Sequence, residues 1–285
     1  MEDVTTPVSE STPVAVVTGA NSGIGLAAAL ELGRRGFHVV LLGRDAHRLE
    51  LATAAVTAVA PVPAHSYRCD FNSFAAVRAV GQALRTRYPS IAVLANNAGG
   101  TVPERRSTQD GFEETIQSNH LSPFLLTHEL LPSLRAYPGG GRIVNTSSRV
   151  HTSGRLDPDD LNSRRRSFLP LAIYASAKQA NILFTVEATK RWPDLLSTAL
   201  HPGVVRTRFG RERWFYRVFY THNPLFKSPE QGAATLVHLA AASRTQLVPG
   251  AYYVDCKVAK AAPRATDPRL AERLWDASLQ AVGLA

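Results

Sequence analysis

The hydrophobic and polar positions of the chain alternate between short apolar runs and longer amphipathic segments. The short runs are rich in Val, Ile and Leu and predict strands, because such side chains pack well in a pleated sheet. The longer segments are rich in Ala and Leu and have the spacing of helices. Strands are predicted at Val14–Thr18, His38–Leu42, Ala64–Cys69, Ile91–Asn96, Arg142–Thr146, Leu196–Leu200 and Ala251–Val254, and helices at Gly25–Arg35, Ala46–Val59, Phe74–Tyr88, Gly111–Arg135, Ile173–Arg191 and Pro229–Ala241.

Strands and helices follow one another along the chain, and no repeat or low-complexity linker divides it. This order predicts a mainly parallel sheet with helices on both faces. We therefore expect an α/β fold of the doubly wound Rossmann type, with a seven-stranded sheet in a single domain over residues 13–285. Ligands of such folds bind at the carboxyl ends of the strands.

The bulk composition narrows the class of protein. With 285 residues, 45% of them hydrophobic and 19% charged, the chain resembles soluble globular proteins. No apolar stretch reaches the length of about 18 residues that a bilayer span needs, so no membrane anchor is expected. Residues 1–12 are rich in Thr, Ser and Pro and contain no apolar segment, which predicts a flexible tail without an export signal.

The cysteines and the charge exclude further classes. Cys69 and Cys256 are far apart and lack the partner spacing of a zinc site, so we expect no metal and a reducing, cytoplasmic location. The net charge is +9, but the basic residues are scattered apart from Arg164–Arg166 and Arg206–Arg217. Nucleic-acid binding usually requires a basic face, and therefore nucleic acid is not an expected partner.

A glycine-rich turn directly follows the first predicted strand and opens a helix. It reads Thr-Gly-Ala-Asn-Ser-Gly-Ile-Gly over residues 18–25. Glycines at these positions let the backbone turn tightly and approach a pyrophosphate, while the helix N-terminus supplies N–H donors and a positive dipole end. Strand, glycine turn and helix together predict a dinucleotide site.

The end of the second strand indicates which dinucleotide is bound. Sites for NAD(H) place an acidic residue there for the ribose 2′-hydroxyl, whereas an arginine accommodates a 2′-phosphate. The chain has Arg44 at this point, so NADP(H) is favoured over NAD(H), although a solvated loop arginine is the alternative. Asp70, after the third strand, is either a hydrogen-bond acceptor for adenine or a helix-capping residue.

Tyr174 and Lys178 stand four residues apart in a predicted helix, on one face. An ammonium beside a phenol favours the phenolate and lowers a pKa that is normally about 10, so the phenol could transfer a proton near neutral pH. An ordinary surface pair of Tyr and Lys is the alternative when this spacing is considered alone. The turn Asn96–Gly100 after the fourth strand likewise is either a cofactor contact or a simple turn.

Four motifs in this order resemble the classical short-chain dehydrogenase/reductase family. The glycine turn matches its Thr-Gly-x-x-x-Gly-x-Gly pattern, Asn96–Gly99 its Asn-Asn-Ala-Gly, and Tyr174–Lys178 its Tyr-x-x-x-Lys. Pro202-Gly203 and Thr207 match the turn at which this family binds the nicotinamide carboxamide. Other stretches, including Asn119–Thr127, are similar to the retinol dehydrogenase-like and WW-domain oxidoreductase-like branch.

The resemblance implies a catalytic tetrad of Asn119, Ser148, Tyr174 and Lys178. Tyr174 would exchange a proton with the substrate oxygen, Ser148 would orient that oxygen, and Lys178 would bind the nicotinamide ribose. Asn119 would hold a water that relays protons to Lys178. Ser147 could be the catalytic serine instead of Ser148, but the family pattern favours the second serine of the pair. The cofactor-binding residues expected from the turns and the resemblance together are Gly19, Asn21, Ser22, Gly23, Ile24, Gly25, Arg44, Asp70, Phe71, Asn97, Ala98, Gly99, Tyr174, Lys178, Pro202, Gly203, Val205 and Thr207.

Two long irregular stretches, at about residues 151–170 and 206–228, are expected to form the walls of a substrate pocket. The first lengthens the separation between Ser148 and Tyr174 to 26 positions, about twice that of many members of the family. The second is rich in aromatic residues and arginines. It could be a lid, a helix that packs on the body or a partner subunit, or a contact with a membrane surface.

These observations predict an NADP(H)-dependent oxidoreductase that interconverts a ketone or aldehyde and an alcohol on a hydrophobic or aromatic small molecule. Reduction is the favoured direction. The same groups could instead reduce a C=C bond or epimerise a substrate, and a regulator that binds NADP(H) without turnover is the alternative from another class. The resemblance also implies a homodimer or homotetramer built on the helices at Gly111–Arg135 and Ile173–Arg191.

Overall fold

The computed structural model describes residues 12–205 and 227–285. The predicted tail and most of the aromatic segment at 206–228 lie outside these residues. The strands are β1 (Val14–Thr18), β2 (His38–Gly43), β3 (His65–Arg68), β4 (Val93–Asn96), β5 (Arg142–Thr146), β6 (Leu196–His201), β7 (Tyr252–Val254) and β8 (Lys257–Ala259). The α-helices are α1 (Gly23–Arg34), α2 (Ala46–Thr57), α3 (Phe74–Arg87), α4 (Glu114–Ile116), α5 (Ser122–Ala136), α6 (Pro170–Arg191), α7 (Pro229–Ala241) and α8 (Pro268–Ala281).

One sheet contains all of these strands, in the order β3-β2-β1-β4-β5-β6-β7-β8. Every neighbouring pair is parallel except β7 and β8, which form an antiparallel hairpin. The order reverses direction between β1 and β4, so their carboxyl ends form the crevice at which doubly wound sheets bind ligands. The predicted Rossmann fold is confirmed.

Two helix layers cover the sheet. On one face α1 packs against α2 and α7, and on the other α3 packs against α5. The second layer is closed by α8, which lies against α6 and inserts Trp275 among Phe124, Phe184 and Trp192. No helix within residues 12–205 and 227–285 is long and apolar enough to cross a membrane.

Capping residues explain several of the helix boundaries. The side chains of Asp45, Ser73 and Asp267 accept hydrogen bonds from the first turns of α2, α3 and α8. Ser228 forms a capping box with Gln231 at the start of α7. Each of these side chains satisfies backbone N–H groups that have no partner inside the helix.

Three expectations about the elements need correction. The sheet has eight strands rather than seven, because β8 folds back on β7 through the turn Asp255–Cys256. The helix expected at Gly111–Arg135 begins at Glu114 and contains a π-helical turn at Gln117–Leu121. Helix α8 was not expected at all, although Asp267 and Pro268 form a typical helix start.

Candidate active site

Thr18 joins the carboxyl ends of β1 and β4. Its hydroxyl oxygen accepts hydrogen bonds from the backbone N–H groups of Asn97 and Ala98, at 2.9 and 2.8 Å, and donates to Ala95 O at 3.2 Å. The side-chain amide of Asn97 in turn donates to Thr18 O at 3.0 Å. These bonds hold the turn after β4 against the glycine turn after β1.

Two glycines of the turn, Gly19 and Gly25, have little or no room for a side chain. A Cβ on Gly25 would clash with Gly19 O and would lie 2.7 Å from Asn97 Nδ2. Gly19 and Gly23 have φ of +66° and +55°, a region that other residues rarely adopt. Ser22 precedes α1 with an exposed side chain that makes no capping hydrogen bond, so the first-turn N–H groups have no side-chain acceptor there. This backbone fits a pyrophosphate, which requires close approach and N–H donors.

The residues after β2 form a basic corner. Arg44 is exposed, and Arg68 on β3 donates from Nε to Arg44 O at 3.1 Å. Asp45, which follows Arg44 in the sequence, caps α2 by accepting from the N–H of Arg48 at 3.0 Å and lies 3.4 Å from the Arg48 side chain. The corner therefore fits a 2′-phosphate better than a ribose hydroxyl that needs an acidic acceptor. Arg48 and Arg68 were not among the expected contacts.

Asp70 and Phe71 follow β3 beside this crevice. Asp70 does not cap α3, because Ser73 does, and its carboxylate instead accepts from the N–H of Asn72 at 3.0 Å. The side chain of Phe71 is buried in the core, and its carbonyl accepts from Ser122 Oγ at 2.6 Å. Since the ring of Phe71 packs inward, only its backbone is placed to contact a ligand.

Asn119 lies in the π-helical turn between α4 and α5. Its side-chain nitrogen donates to Gly100 O at 2.7 Å and to Thr115 O at 2.8 Å, while its Oδ1 is buried without a hydrogen-bond partner. The hydrogen bond from the Asn119 side chain occupies Thr115 O, a backbone carbonyl of the preceding turn. This is consistent with the local widening of the helix. A buried carbonyl oxygen without a donor is costly, so Asn119 Oδ1 fits a bound water or ligand hydroxyl.

Lys178 lies between two other members of the expected tetrad, Asn119 and Tyr174. A Cβ on Gly99 would clash with Asn119 Oδ1 and would lie 3.2 Å from Lys178 Nζ, so both atoms face the same point. The ammonium also donates to Thr146 O at 3.2 Å and lies 5.4 Å from the centre of the Tyr174 ring. Lys178 is only 2% exposed.

Burial dominates the proton affinities of this pair. It raises the pKa of Tyr174 to about 12 and lowers the pKa of Lys178 to about 7. The expectation that Lys178 would bring the phenol pKa below its usual value is therefore wrong for the protein alone, because desolvation of the phenolate outweighs the ammonium. Tyr174 is protonated at neutral pH, and Lys178 titrates there.

The two serines after β5 differ in their surroundings. Ser147 is buried and donates its hydroxyl to Lys178 O at 2.7 Å, which ties the strand to α6. Ser148 is half-buried, and its Oγ accepts a long bond of 3.4 Å from the N–H of Val150. Because the hydroxyl proton of Ser147 is committed to the helix, Ser148 is the better candidate to bind a substrate oxygen.

The turn after β6 contains the remaining expected contacts. Gly203 has φ of +90°, and the side chain of Lys227 lies against it, 2.6 Å from where a Cβ would stand. Val205 pairs with Lys227 in an isolated bridge and is half-buried. Pro202 is buried, and Thr207 lies outside the described residues.

A buried chain of amides and hydroxyls behind the tetrad was not expected from the sequence. Asn96 Nδ2 donates to Asn145 Oδ1 at 3.0 Å, Asn145 Nδ2 to Thr185 Oγ1 at 2.9 Å, and Thr185 Oγ1 to Asn181 O at 2.8 Å. Asn181 Nδ2 completes the chain by donating to Thr146 O at 3.0 Å. The available signal was the presence of asparagine within a β-branched strand and an apolar helix, where it has low propensity.

Comparison with known proteins gives the family. The model of the short chain dehydrogenase family matches residues 13–214. The chain belongs to the short-chain dehydrogenase family. This short-chain dehydrogenase is 46% identical over 268 residues to DnrU of Streptomyces sp. (strain C5), provisionally named a daunorubicin C-13 ketoreductase, and the match covers 94% of this chain and 92% of that protein.

Two further relatives agree with this assignment. The short-chain dehydrogenase is 37% identical over 279 residues to retinol dehydrogenase 13 of Homo sapiens, covering 94% of this chain and 84% of that protein. The structure of L-sorbose reductase from Gluconobacter frateurii, complexed with NADPH and L-sorbose, superposes with a TM-score of 0.67 at 25% identity and covers 85% of this chain and 94% of that one. The predicted family and its retinol dehydrogenase-like branch are confirmed, and the protein is an oxidoreductase.

Proposed function

We infer that this short-chain dehydrogenase is an NADP(H)-dependent ketoreductase for a hydrophobic or aromatic ketone. One observation carries the proposal. The buried ammonium of Lys178 faces the Tyr174 ring on one side and the point opposite Asn119 Oδ1 on the other. Such a group has no structural need to be buried, and perturbed titratable groups of this kind cluster at sites of proton transfer.

The protonation states favour reduction. A phenol with a pKa of about 12 holds its proton at neutral pH, so Tyr174 is ready to donate one. Reduction of a carbonyl needs one hydride on carbon and one proton on oxygen, and a bound nicotinamide would supply the hydride. Tyr174 would donate the proton, and the Ser148 hydroxyl would hydrogen-bond to the same oxygen and stabilise its developing charge.

Lys178 would then support the phenolate that proton donation leaves behind. Because its pKa is about 7, the ammonium can give up a proton near neutral pH and restore the phenol. Asn119 Oδ1, on the other side of Gly99, is a ready acceptor for a water that would replace this proton. Asn119, Lys178 and Tyr174 therefore each have a role in returning one proton to the site.

The choice of NADP(H) rests on the basic corner. Three arginines, at positions 44, 48 and 68, surround the end of β2, and Asp45 is committed to capping α2. Guanidinium groups bind phosphate through charge-assisted hydrogen bonds. The L-sorbose reductase with a similar fold holds NADPH, which supports the same choice.

The substrate class rests on the entrance to the site and on relatedness. Leu171 lies three residues before Tyr174 on α6 and is 64% exposed, and Leu169 just before the helix is 61% exposed. These side chains offer apolar surface next to the proposed proton donor. DnrU, which is provisionally named a daunorubicin C-13 ketoreductase, is matched over nearly its whole length.

The direct test is consumption of reduced nicotinamide with a panel of ketones and aldehydes. We expect NADPH to be oxidised faster with bulky aromatic ketones than with short aliphatic ones. Product analysis would separate carbonyl reduction from reduction of a C=C bond. Tight NADPH binding without turnover across the panel would favour a regulator and contradict the proposal.

Arg44→Asp tests the cofactor choice. Replacing the guanidinium with a carboxylate removes a phosphate donor and adds repulsion, so kcat/KM for NADPH should fall by about tenfold or more, while that for NADH is maintained or rises. Arg269→Asp is the matched control, because Arg269 is an exposed arginine in the first turn of α8. Equal losses for both cofactors, or no loss for NADPH, would contradict the role of Arg44.

A further inference from the structure

Two side chains from α6 meet on one backbone oxygen at the end of β5. Thr146 O accepts from Lys178 Nζ at 3.2 Å and from Asn181 Nδ2 at 3.0 Å. A carbonyl oxygen has two acceptor sites, so these two donors can occupy both. Asn181 is only 5% exposed, so water cannot easily replace its amide as a donor to Thr146 O.

A third bond runs in the opposite direction between the same elements. Ser147 Oγ donates to Lys178 O at 2.7 Å, so at this end of β5 three side-chain bonds tie the strand to α6. These hydrogen bonds connect the residues after β5, which include Ser148, with the helix that contains Tyr174 and Lys178. The distance between the Ser148 hydroxyl and the Tyr174 phenol therefore depends on these bonds. Small displacements of such groups reduce rates strongly.

We propose that Asn181 is a positioning residue for Lys178, which holds the Thr146 carbonyl in place as the acceptor of the buried ammonium. The inference rests on the proposed function, because it assigns Asn181 to the proton-transfer site. Asn181 touches neither Tyr174 nor the point between Asn119 and Lys178 in any of the hydrogen bonds described for it. Its link to Lys178 is the shared acceptor, the Thr146 carbonyl.

The rest of the buried chain explains why Asn181 is itself well held. Its backbone carbonyl accepts from Thr185 Oγ1 at 2.8 Å, and Thr185 accepts from Asn145 on the strand. Two titratable side chains also face this corner. Tyr174 lies on the same helix, and His120, whose pKa burial lowers to about 4 against a hydrogen bond with Asn181, lies on the π-helical turn. Both are neutral at pH 7, so no second charge competes for Lys178 from these two groups.

Two substitutions at this position should act in opposite directions on Lys178. Asn181→Leu keeps the volume but removes the donor, so the carbonyl is held less firmly, its bond to the ammonium weakens, and the pKa of Lys178 falls. Asn181→Asp places a carboxylate beside the ammonium, which favours the charged form and raises the pKa of Lys178 by about 1 or more. A filler role in the core would leave the pKa of Lys178 unchanged in Asn181→Leu, whereas the rise in Asn181→Asp only confirms that position 181 lies beside the ammonium.

Thr185→Val is the matched control. Thr185 belongs to the same buried chain one turn further along α6, and valine preserves its shape while removing a buried hydroxyl. It has no contact with Thr146 O among the hydrogen bonds described for it. The control should lose stability as Asn181→Leu does but leave the pKa of Lys178 unchanged.

The test is a titration of the lysine side chains by NMR in the full chain. The sequence contains only five lysines, at positions 178, 190, 227, 257 and 260, so selective labelling gives a simple spectrum, and Lys178→Met assigns the signal. We expect a lower pKa in Asn181→Leu, a higher one in Asn181→Asp and no change in Thr185→Val. A Lys178 pKa in Asn181→Leu equal to that of the wild type, or an equal fall in Thr185→Val, would overturn the inference.

Kinetics provide a second measurement. For a ketone that the wild type reduces, kcat of Asn181→Leu should fall by about tenfold or more with a smaller change in KM, whereas Thr185→Val should stay within about twofold. Equal losses in the two variants would indicate a purely structural role and overturn the inference. If the wild type reduces no carbonyl but Lys178 titrates as expected, only the proposed ketoreductase function fails.

Discussion

Lys178 is a residue whose burial opposes stability. In the folded protein its pKa is lowered to about 7, whereas the same side chain in the unfolded chain titrates near 10.5. The unfolded state therefore binds more protons between these two values, and stability rises with pH across this window. Below pH 7 both states are charged, and the folded protein carries the full cost of burying the ammonium.

Lys178→Met should consequently stabilise the protein at pH 6, by on the order of 2 kcal/mol, while abolishing the proposed activity. The gain should shrink as the pH rises from 7 towards 10.5, because the folded wild-type lysine is then neutral and no charge remains buried. Urea unfolding at several pH values measures this. Lys190→Met on the exposed side of α6 is the control and should show little pH dependence. A methionine variant less stable than wild type at pH 6 would contradict the argument.

At the scale of single residues, motif spacing predicted more than polarity did. The tetrad candidates and the glycines were predicted because their chemistry requires particular residues at particular separations. Asn181 and Asn145 were not, because an asparagine in a helix or strand has the same local pattern whether its amide faces water or a buried carbonyl. Only the packing of α6 on β5 decides whether such an amide faces water or a buried carbonyl.

At the scale of elements, one arginine from the loop after β4 makes several contacts with the stretch at residues 151–170. Arg105 donates to the carbonyls of Asn162 and Ser163, at 2.9 and 3.0 Å, and to Arg166 O at 3.3 Å. Its guanidinium also lies 5.1 Å from the centre of the Phe168 ring. These contacts order the segment that leads into α6 and Tyr174.

Arg105→Ala should release this segment without unfolding the sheet. Limited trypsin digestion should then cut faster within Arg164–Arg166, because an ordered backbone resists proteolysis and a loosened one does not. Arg106→Ala is the control, since Arg106 is also exposed and its side chain is in none of the contacts described. Equal cleavage rates in the two variants would show that Arg105 does not order the segment.

Elements with strong periodicity were predicted well, and short or locally distorted ones were not. The bounds of β1, β5 and α7 agree with the expectation. Strand β8 has three residues, and its turn uses Asp255 and Cys256 at positive φ in place of the glycine that usually marks a hairpin. The π-helical turn around Asn119 arises from a side-chain bond that periodicity does not reveal.

At the scale of the whole molecule, four histidines with lowered pKa values make the protein sensitive to acid. Burial lowers the pKa of His38, His120, His128 and His201 to about 4, whereas the pKa of an exposed histidine is 6.5. Between these values the unfolded state binds more protons, so stability falls as the pH drops from 6.5 towards 4. The four lie on different elements, so the loss should be global.

The free energy of unfolding should therefore decrease from pH 7 to pH 5, as measured by urea denaturation. His128→Phe should reduce this slope, because its ring already packs against Phe124, Trp192 and Trp275 and its Nε2 is buried without a partner. The exposed His47 provides the control, since His47→Phe should leave the slope as it is. A stability that does not change from pH 7 to pH 5 would contradict the assignment of neutral buried histidines.

The fold and the carboxyl-edge site were predictable because alternating strands and helices admit few topologies, and parallel strands bring their carboxyl ends together. Packing of α8 across α5 and α6 was not, because its amphipathic pattern does not specify which helices it covers. The same limit applies to the basic corner, where Arg68 joins Arg44 only through the pairing of β2 with β3.

The central claim is that Tyr174 donates the proton in an NADPH-dependent carbonyl reduction. The most direct measurement compares Tyr174→Phe with Tyr88→Phe. Tyr88 is a buried tyrosine far from Tyr174 in the sequence, and burial raises its pKa to about 12 as well. Tyr174→Phe should bind NADPH as the wild type does but lose about a hundredfold or more in kcat for the ketone, while Tyr88→Phe retains its activity. Carbonyl reduction by Tyr174→Phe at the wild-type rate would contradict the account.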